Sequence, residues 1–340
     1  MNTEKKYFYI FNHPYCPMPY THRFFVEKFA KGFEYHGYVV KLIEHADEIV
    51  GPGIMMMCDI RFHFYWNDGI RNWRRDFFII IEQVFNRFKI AWFDDFCWYL
   101  KKKAVKEVAG ALKEKDVTVL AWLWDEHESF LNETGLRVIY TGEYFSHEPK
   151  NLRRKKLWAF YQNHADDNAL PIRFAAAIDP REVGNNEEKR DILVSYVGER
   201  RYKTDWQGAF ADRKGCRIVP TPPYIPEEDR VSIYKHSMIS LGLESAASLE
   251  DGIVTERVFE ALAYGAICLS HHEAVVPETD GCAEYIEQRE DLEDRVAFLE
   301  SHPEEAKKIR EKGYAFVREK GTYAHEAAKF IALDQILKRR

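Results

Sequence analysis

Short apolar runs alternate with longer amphipathic helical patterns along most of this chain, and no other feature constrains its fold as tightly. Tyr7–Phe11 reads as a strand, the stretch from Thr21 to His36 as a helix closed by Gly37, and Tyr38–Ile43 as a second strand. Parallel neighbours need a crossover, and a helix supplies it, so the pattern predicts doubly wound α/β architecture. The loop after Phe11 lacks the G-x-G-x-x-G fingerprint of a dinucleotide site. A helix over Ala104–Lys115 and strands over Val117–Leu123 and Val138–Thr141 continue the pattern. The polar stretch Asp179–Asp191 reads as a linker, after which the alternation starts again. It predicts strands over Ile192–Val197, Cys216–Val219, Ser237–Leu243 and Ala266–Ser270, and helices over Thr204–Arg213, Glu227–Lys235 and Val254–Tyr264. From Asp291 onward the pattern is helical. The expectation is two Rossmann-like halves, residues 1–184 and 185–340, with a helical tail; 340 residues suit two domains.

Composition removes several functions. A formal charge of −6 argues against coating nucleic acid through charge. The six cysteines form no C-x-x-C pair and read as reduced thiols. The segment Met1–Phe11 reads as neither signal peptide nor anchor, and no apolar stretch reaches the ~20 residues of a spanning helix. The expected setting is cytoplasmic, with Lys338-Arg339-Arg340 allowing weak contact at the inner membrane face or a merely solvated end. Aromatic residues make up 15% of the chain and crowd the stretch between Phe62 and Leu100, among Arg61, Arg71, Arg74, Arg75 and Arg87. They fit amphipathic helices with aromatic inner faces, or a surface that stacks on sugar rings or lipid headgroups.

The segment Glu250-Asp251-Gly252-Ile253-Val254-Thr255-Glu256-Arg257 carries the most chemistry. A loop ending at Asp251-Gly252 opens a helix that Gly265 closes. The start of a helix binds phosphate through its amides and dipole, and Arg257 in the first turn adds a bidentate grip. Glu256 and Glu260, four apart, share a face and repel by a few tenths of a kcal/mol. A ribose diol would suit one of them; an amphipathic helix with a solvated acidic face is the plainer alternative. Glu143, after Thr141-Gly142 at a strand's carboxyl end, stands where α/β proteins place functional groups, or is a surface carboxylate. Arg200, Arg201 and Lys203 follow another strand, where basic residues can meet an anion or simply stand solvated. Trp124 and Glu126 lie in a polar run at a strand's end, and His13 and His22 flank the first loop, where they are ligand-contact candidates or simply buried or exposed histidines. No D-x-D triplet occurs, and His271-His272-Glu273 lacks further ligands at metal-site spacing, so no metal is expected.

Three elements in order carry a resemblance. Arg137-Val138-Ile139-Tyr140-Thr141-Gly142-Glu143 resembles the Y-T-G-E-N motif of the α-(1,3)-fucosyltransferase family. Ser195-Tyr196-Val197 with the basic residues after it is similar to that family's S-F-V segment. Leu243-Glu244-Ser245 followed by Val254-Thr255-Glu256-Arg257 resembles its E-N-S and V-T-E-K elements. Tyr144 and Glu244 stand where the family has asparagine, Arg257 where it has lysine. The stretch Arg257–Ala263 with the tail around His302-Pro303 also resembles CgeB-like glycosyltransferases, whose retaining relatives carry E-x7-E; here the first position is Gly252.

These resemblances imply a GT-B glycosyltransferase, two Rossmann-like domains flanking a cleft, acting without a metal. The favoured form is inverting transfer of fucose from GDP-fucose to a glycan hydroxyl, with Glu143 as base. Its donor would be held by Glu244, Ser245, Thr255, Glu256, Arg257 and Glu260 with Arg200, Arg201 and Lys203, and His13, His22, Trp124 and Glu126 would be its acceptor-side candidates. The alternatives are a CgeB-like enzyme using another donor such as a UDP-hexose, or a catalytically silent protein that binds nucleotide or glycan. The partners implied are a nucleotide-sugar donor and a glycan or lipid-linked oligosaccharide acceptor, as in polysaccharide biosynthesis. No cofactor beyond the donor substrate is implied.

Overall fold

A computed structural model describes residues 5–13, 20–59, 91–123, 130–164, 167–185, 189–199, 204–221 and 225–340. The chain divides into two units. One comprises Met1–Gly142, Leu152–Ile172 and Ala327–Arg340; the other comprises Glu143–Asn151 and Arg173–Glu326. Each is built on a parallel five-stranded sheet among the described residues.

In the first unit the strands are β1 (Tyr7–Phe11), β2 (Val39–Ile43), β3 (Gly53–Asp59), β4 (Val117–Leu123) and β5 (Val138–Thr141), in the order β2-β1-β3-β4-β5. Helices α1 (Tyr20–Tyr35), α2 (Ala91–Glu114) and α3 (Leu152–His164) connect or follow them. The apolar run of β1 and that of β4, broken only by Thr118, are what strands covered on both faces require. Phe25, Phe29 and Phe33 recur at helical spacing in α1, and Phe33 stacks on Phe8 of β1 at 4.1 Å. Gly37, at φ +81°, ends this helix as its sequence predicts. β3 is an addition to the expected strands: its run of methionines has little β-branching, yet Ile54 through Met57 are buried in the sheet. Gly53 opens it because any Cβ there would sit 2.0 Å from the Tyr7 carbonyl oxygen.

The second unit carries β6 (Ile192–Glu199), α4 (Thr204–Ala211), β7 (Cys216–Thr221), α5 (Glu227–His236) and β8 (Ser237–Leu241). Then come α6 (Ala246–Asp251), α7 (Glu256–Ala263), β9 (Ile267–Ser270), α8 (Val275–Glu278) and β10 (Glu284–Tyr285). Helices α9 (Arg289–Ser301), α10 (Pro303–Lys320) and α11 (Tyr323–Leu337) form the helical tail. The strand order β10-β9-β8-β6-β7 repeats the first sheet's order, each unit counted from its own first strand. Val194, Tyr196, Trp206, Phe210, Ile239 and Leu269 fill one core, while Val258, Phe259 and Leu262 of α7 pack with Phe316 and Val317 of α10.

Three expectations are corrected. The units are not the contiguous halves 1–184 and 185–340, because α11 returns to the first unit. There Phe330 packs on Phe29 at 5.5 Å, and Thr118 donates to the buried Asp334. The start of the expected linker is folded structure: Pro180 and Val183 are buried, and Arg318 donates to the Val183 carbonyl at 3.2 Å. Asp251 ends a short helix, α6, and α7 begins at Glu256 rather than Val254, with Gly252 at φ +67° separating the two. No described helix is long and apolar enough to cross a membrane.

Candidate functional site

In an open parallel sheet, ligands bind beyond the carboxyl ends of the strands, where connections leave to opposite sides. In the second unit that switch point lies between β6 and β8. Gly198 sits near the end of β6; Gly242, Leu243 and Glu244 follow β8 directly. Arg257, in the first turn of α7, reaches this point: its Nη1 donates to the Leu243 carbonyl at 2.7 Å. A Cβ on Gly198 would lie 2.7 Å from the same Nη1 and 2.5 Å from the Tyr196 hydroxyl. A half-buried guanidinium is thus fixed at the switch point, beside the positive end of α7.

Glu244 lies next to it, 3% exposed. Its Oε1 accepts from the Thr255 amide at 3.3 Å and from the Thr255 hydroxyl, while Oε2 is buried without a hydrogen-bond partner. Burial raises this carboxyl above its usual range, against the pull of Arg257 and the Thr255 hydrogen bonds. Thr255 is the N-cap residue of α7, and its hydroxyl is spent on Glu244 rather than on a helix amide. Ser245 caps α6, accepting from the Ser248 amide at 3.0 Å.

The carboxylate pair on α7 has a partner that its spacing did not reveal. Arg230 of α5 donates through Nη2 to Glu260 Oε1 at 3.0 Å, and both side chains are largely buried. Burial works against the Arg230 charge, but Glu260 and then Glu256 more than offset it, so its pKa is raised. One guanidinium therefore relieves the repulsion between the two glutamates. Glu260 is placed in an ion pair, and Glu256, half-buried, lies at the helix start beside Arg257.

Glu143 belongs to the second unit, the same unit as Arg257. The segment it opens docks on the loop between α6 and α7, where Ser146 donates to the Gly252 carbonyl from its amide at 3.0 Å and its hydroxyl at 2.9 Å. His13, beyond β1 at the first unit's switch point, is 5% exposed with Nε2 3.6 Å from Glu107. Burial lowers its pKa, against the attraction of Glu107. His272 is also buried, and its Nδ1 accepts from the Ala274 amide at 3.3 Å. Among the described residues no three potential ligands converge to hold a metal.

Arg200, Arg201, Lys203, Trp124 and Glu126 lie outside the described residues, as do the side chain of His22, the aromatic stretch from Phe62 to Ile90 and the side chains from Ala91 to Trp98. The structure adds Arg230, Gly198 and the Leu243 carbonyl to the residues that sequence reasoning singled out. Gly198 carried a legible signal, a lone glycine near a strand's carboxyl end where backbone comes close to something. Arg230 carried none, since a basic residue in a mostly polar helix reads as solvated.

Residues 185–332 match the model of a family described as Glycosyl transferase-like. No curated protein matches the chain. Among solved structures, an α1,3-fucosyltransferase is similar over 95% of this chain and 93% of its own, at 11% identity and a TM-score of 0.36. Another, the glycotransferase of kitacinnamycin, is similar over 98% of this chain and 100% of its own, at 10% identity and a TM-score of 0.44.

Proposed function

We propose that the protein is a GT-B glycosyltransferase that binds a nucleoside diphosphate sugar at the β6/β8 switch point and transfers the sugar to a glycan hydroxyl. The observation that carries this reading is the Arg257 guanidinium, tethered to Leu243 at the strand ends beside the start of α7. A cation and a helix N-terminus together make a diphosphate site without a metal. The match of residues 185–332 to a Glycosyl transferase-like family supports the same reading.

In the inverting form, the acceptor oxygen attacks the anomeric carbon and its proton passes to the Glu143 carboxylate. The bond from that carbon to the diphosphate oxygen breaks, and the electron pair leaves with the nucleoside diphosphate, whose charge meets Arg257. Fucose from GDP-fucose is the favoured donor, on the motif resemblance around Glu143 and Thr255-Glu256-Arg257. Acceptors are glycans or lipid-linked oligosaccharides, and the setting is cytoplasmic. A donor-panel assay reading release of GDP, UDP or dTDP tests the proposal. Release from GDP-fucose with an oligosaccharide acceptor is expected; release from a UDP-hexose alone would replace the donor and keep the reaction. Release from none would refute the transferase reading.

A further inference from the structure

The chain leaves the first unit at Gly142, and Glu143–Asn151 belongs to the second. This short strap is tied along its length. Besides the two Ser146 bonds to Gly252, the Lys150 amide donates to the Glu250 carbonyl at 3.4 Å and the Asn151 amide to Asp251 Oδ1 at 3.0 Å. Next to Glu143, the half-buried Tyr144 faces the Glu278 carboxylate of α8, and burial together with that carboxylate raises the pKa of its hydroxyl. Glu278 faces Arg173 at 3.8 Å, and Arg173 lies 3.6 Å from the fully buried Glu326. Gly252 is shaped by the strap. It takes φ +67°, and an added Cβ would meet Ser146 Oγ and His147 Nδ1, each at 2.6 Å.

We propose that Tyr144 and Ser146 are positioning residues: they hold Glu143 to the scaffold that carries Arg257, independently of the strand β5 that precedes it. A base must meet the acceptor hydroxyl within hydrogen-bond reach, and a strap tied just after Glu143 restrains where its Cα can sit. The inference rests on the transferase reading and deepens it.

The test uses the full-length chain with Tyr144→Phe, Ser146→Ala and Gly252→Ala. Hydrogen exchange is followed over residues 143–151 without substrate, and turnover with nucleotide affinity is measured beside it. Expected are protected Ser146 and Asn151 amides in the unsubstituted chain and about tenfold or faster exchange in the variants. Turnover number falls by about tenfold, nucleoside diphosphate Kd stays within about twofold, and the same changes cost nothing further in a Glu143→Gln background. Unprotected amides, unchanged turnover in all three variants, or an undiminished loss on top of Glu143→Gln overturns the proposal. A chain that transfers sugar but ignores these substitutions overturns the strap alone. One that transfers none, from any donor, overturns the transferase reading beneath it as well.

Discussion

Arg257 Nη1 donates to the Leu243 carbonyl oxygen at 2.7 Å, and this bond joins the first turn of α7 to the end of β8. A flexible side chain is thereby held in one place before any ligand arrives. Preorganisation of this kind lowers the cost of binding an anion, because the guanidinium need not be ordered by the ligand.

Gly198→Ala is expected to weaken nucleotide binding by about tenfold, or about 1.4 kcal/mol. The new methyl would lie 2.7 Å from Arg257 Nη1, and the guanidinium is the more mobile neighbour. Titration calorimetry should show the lost affinity, with thermal stability falling by no more than about 1–3 kcal/mol.

Arg230→Ala should cost about 3–5 kcal/mol of stability, since it leaves Glu260 buried and uncompensated. Arg230→Met combined with Glu260→Leu should recover much of that, by removing both charges from the interior. Denaturant unfolding of the three chains measures it; an unchanged midpoint for Arg230→Ala would contradict the buried pair.

Glu244→Gln should stabilise the protein at neutral pH. The folded carboxyl has its pKa raised above the ordinary 4.5, chiefly by burial. The folded state therefore holds the proton more tightly, and the native chain loses stability as pH rises from about 4.5 through the raised value. Glutamine keeps the acceptor that Thr255 uses and carries no charge. Melting curves of the two chains should coincide at acid pH and separate as pH rises; a gap that shrinks toward neutrality would contradict the burial effect.

Glu143→Gln should keep nucleotide affinity and lose transfer by about 100-fold or more. Full activity in that variant would remove Glu143 as the base.

Much of this architecture was legible because it follows from periodicity. The apolar run of β1, the i, i+4, i+8 phenylalanines of α1 and Gly37 after it are local signals, and each appears where its pattern predicts. β3 was missed because methionine is neither β-branched nor distinctively helical in a short run, and α6 because it is a short turn between better patterns. The return of α11 to the first unit depends on Phe330 meeting Phe29 and Thr118 meeting Asp334, contacts between residues far apart in sequence. In the candidate site, spacing put Glu256 and Glu260 on one face but could not supply Arg230, which comes from another helix. The motif around Thr255-Glu256-Arg257 drew attention to α7, while the carbonyl and glycine that hold Arg257 are backbone features with no side chain to read.

The most direct test of the account is calorimetric titration of GDP, UDP and dTDP into the unsubstituted chain and into Arg257→Ala. The account predicts that at least one nucleoside diphosphate binds the unsubstituted chain and that Arg257→Ala weakens it by about 1.5–3 kcal/mol. Binding of none of the three, or equal binding to both chains, would contradict a donor site at the β6/β8 switch point.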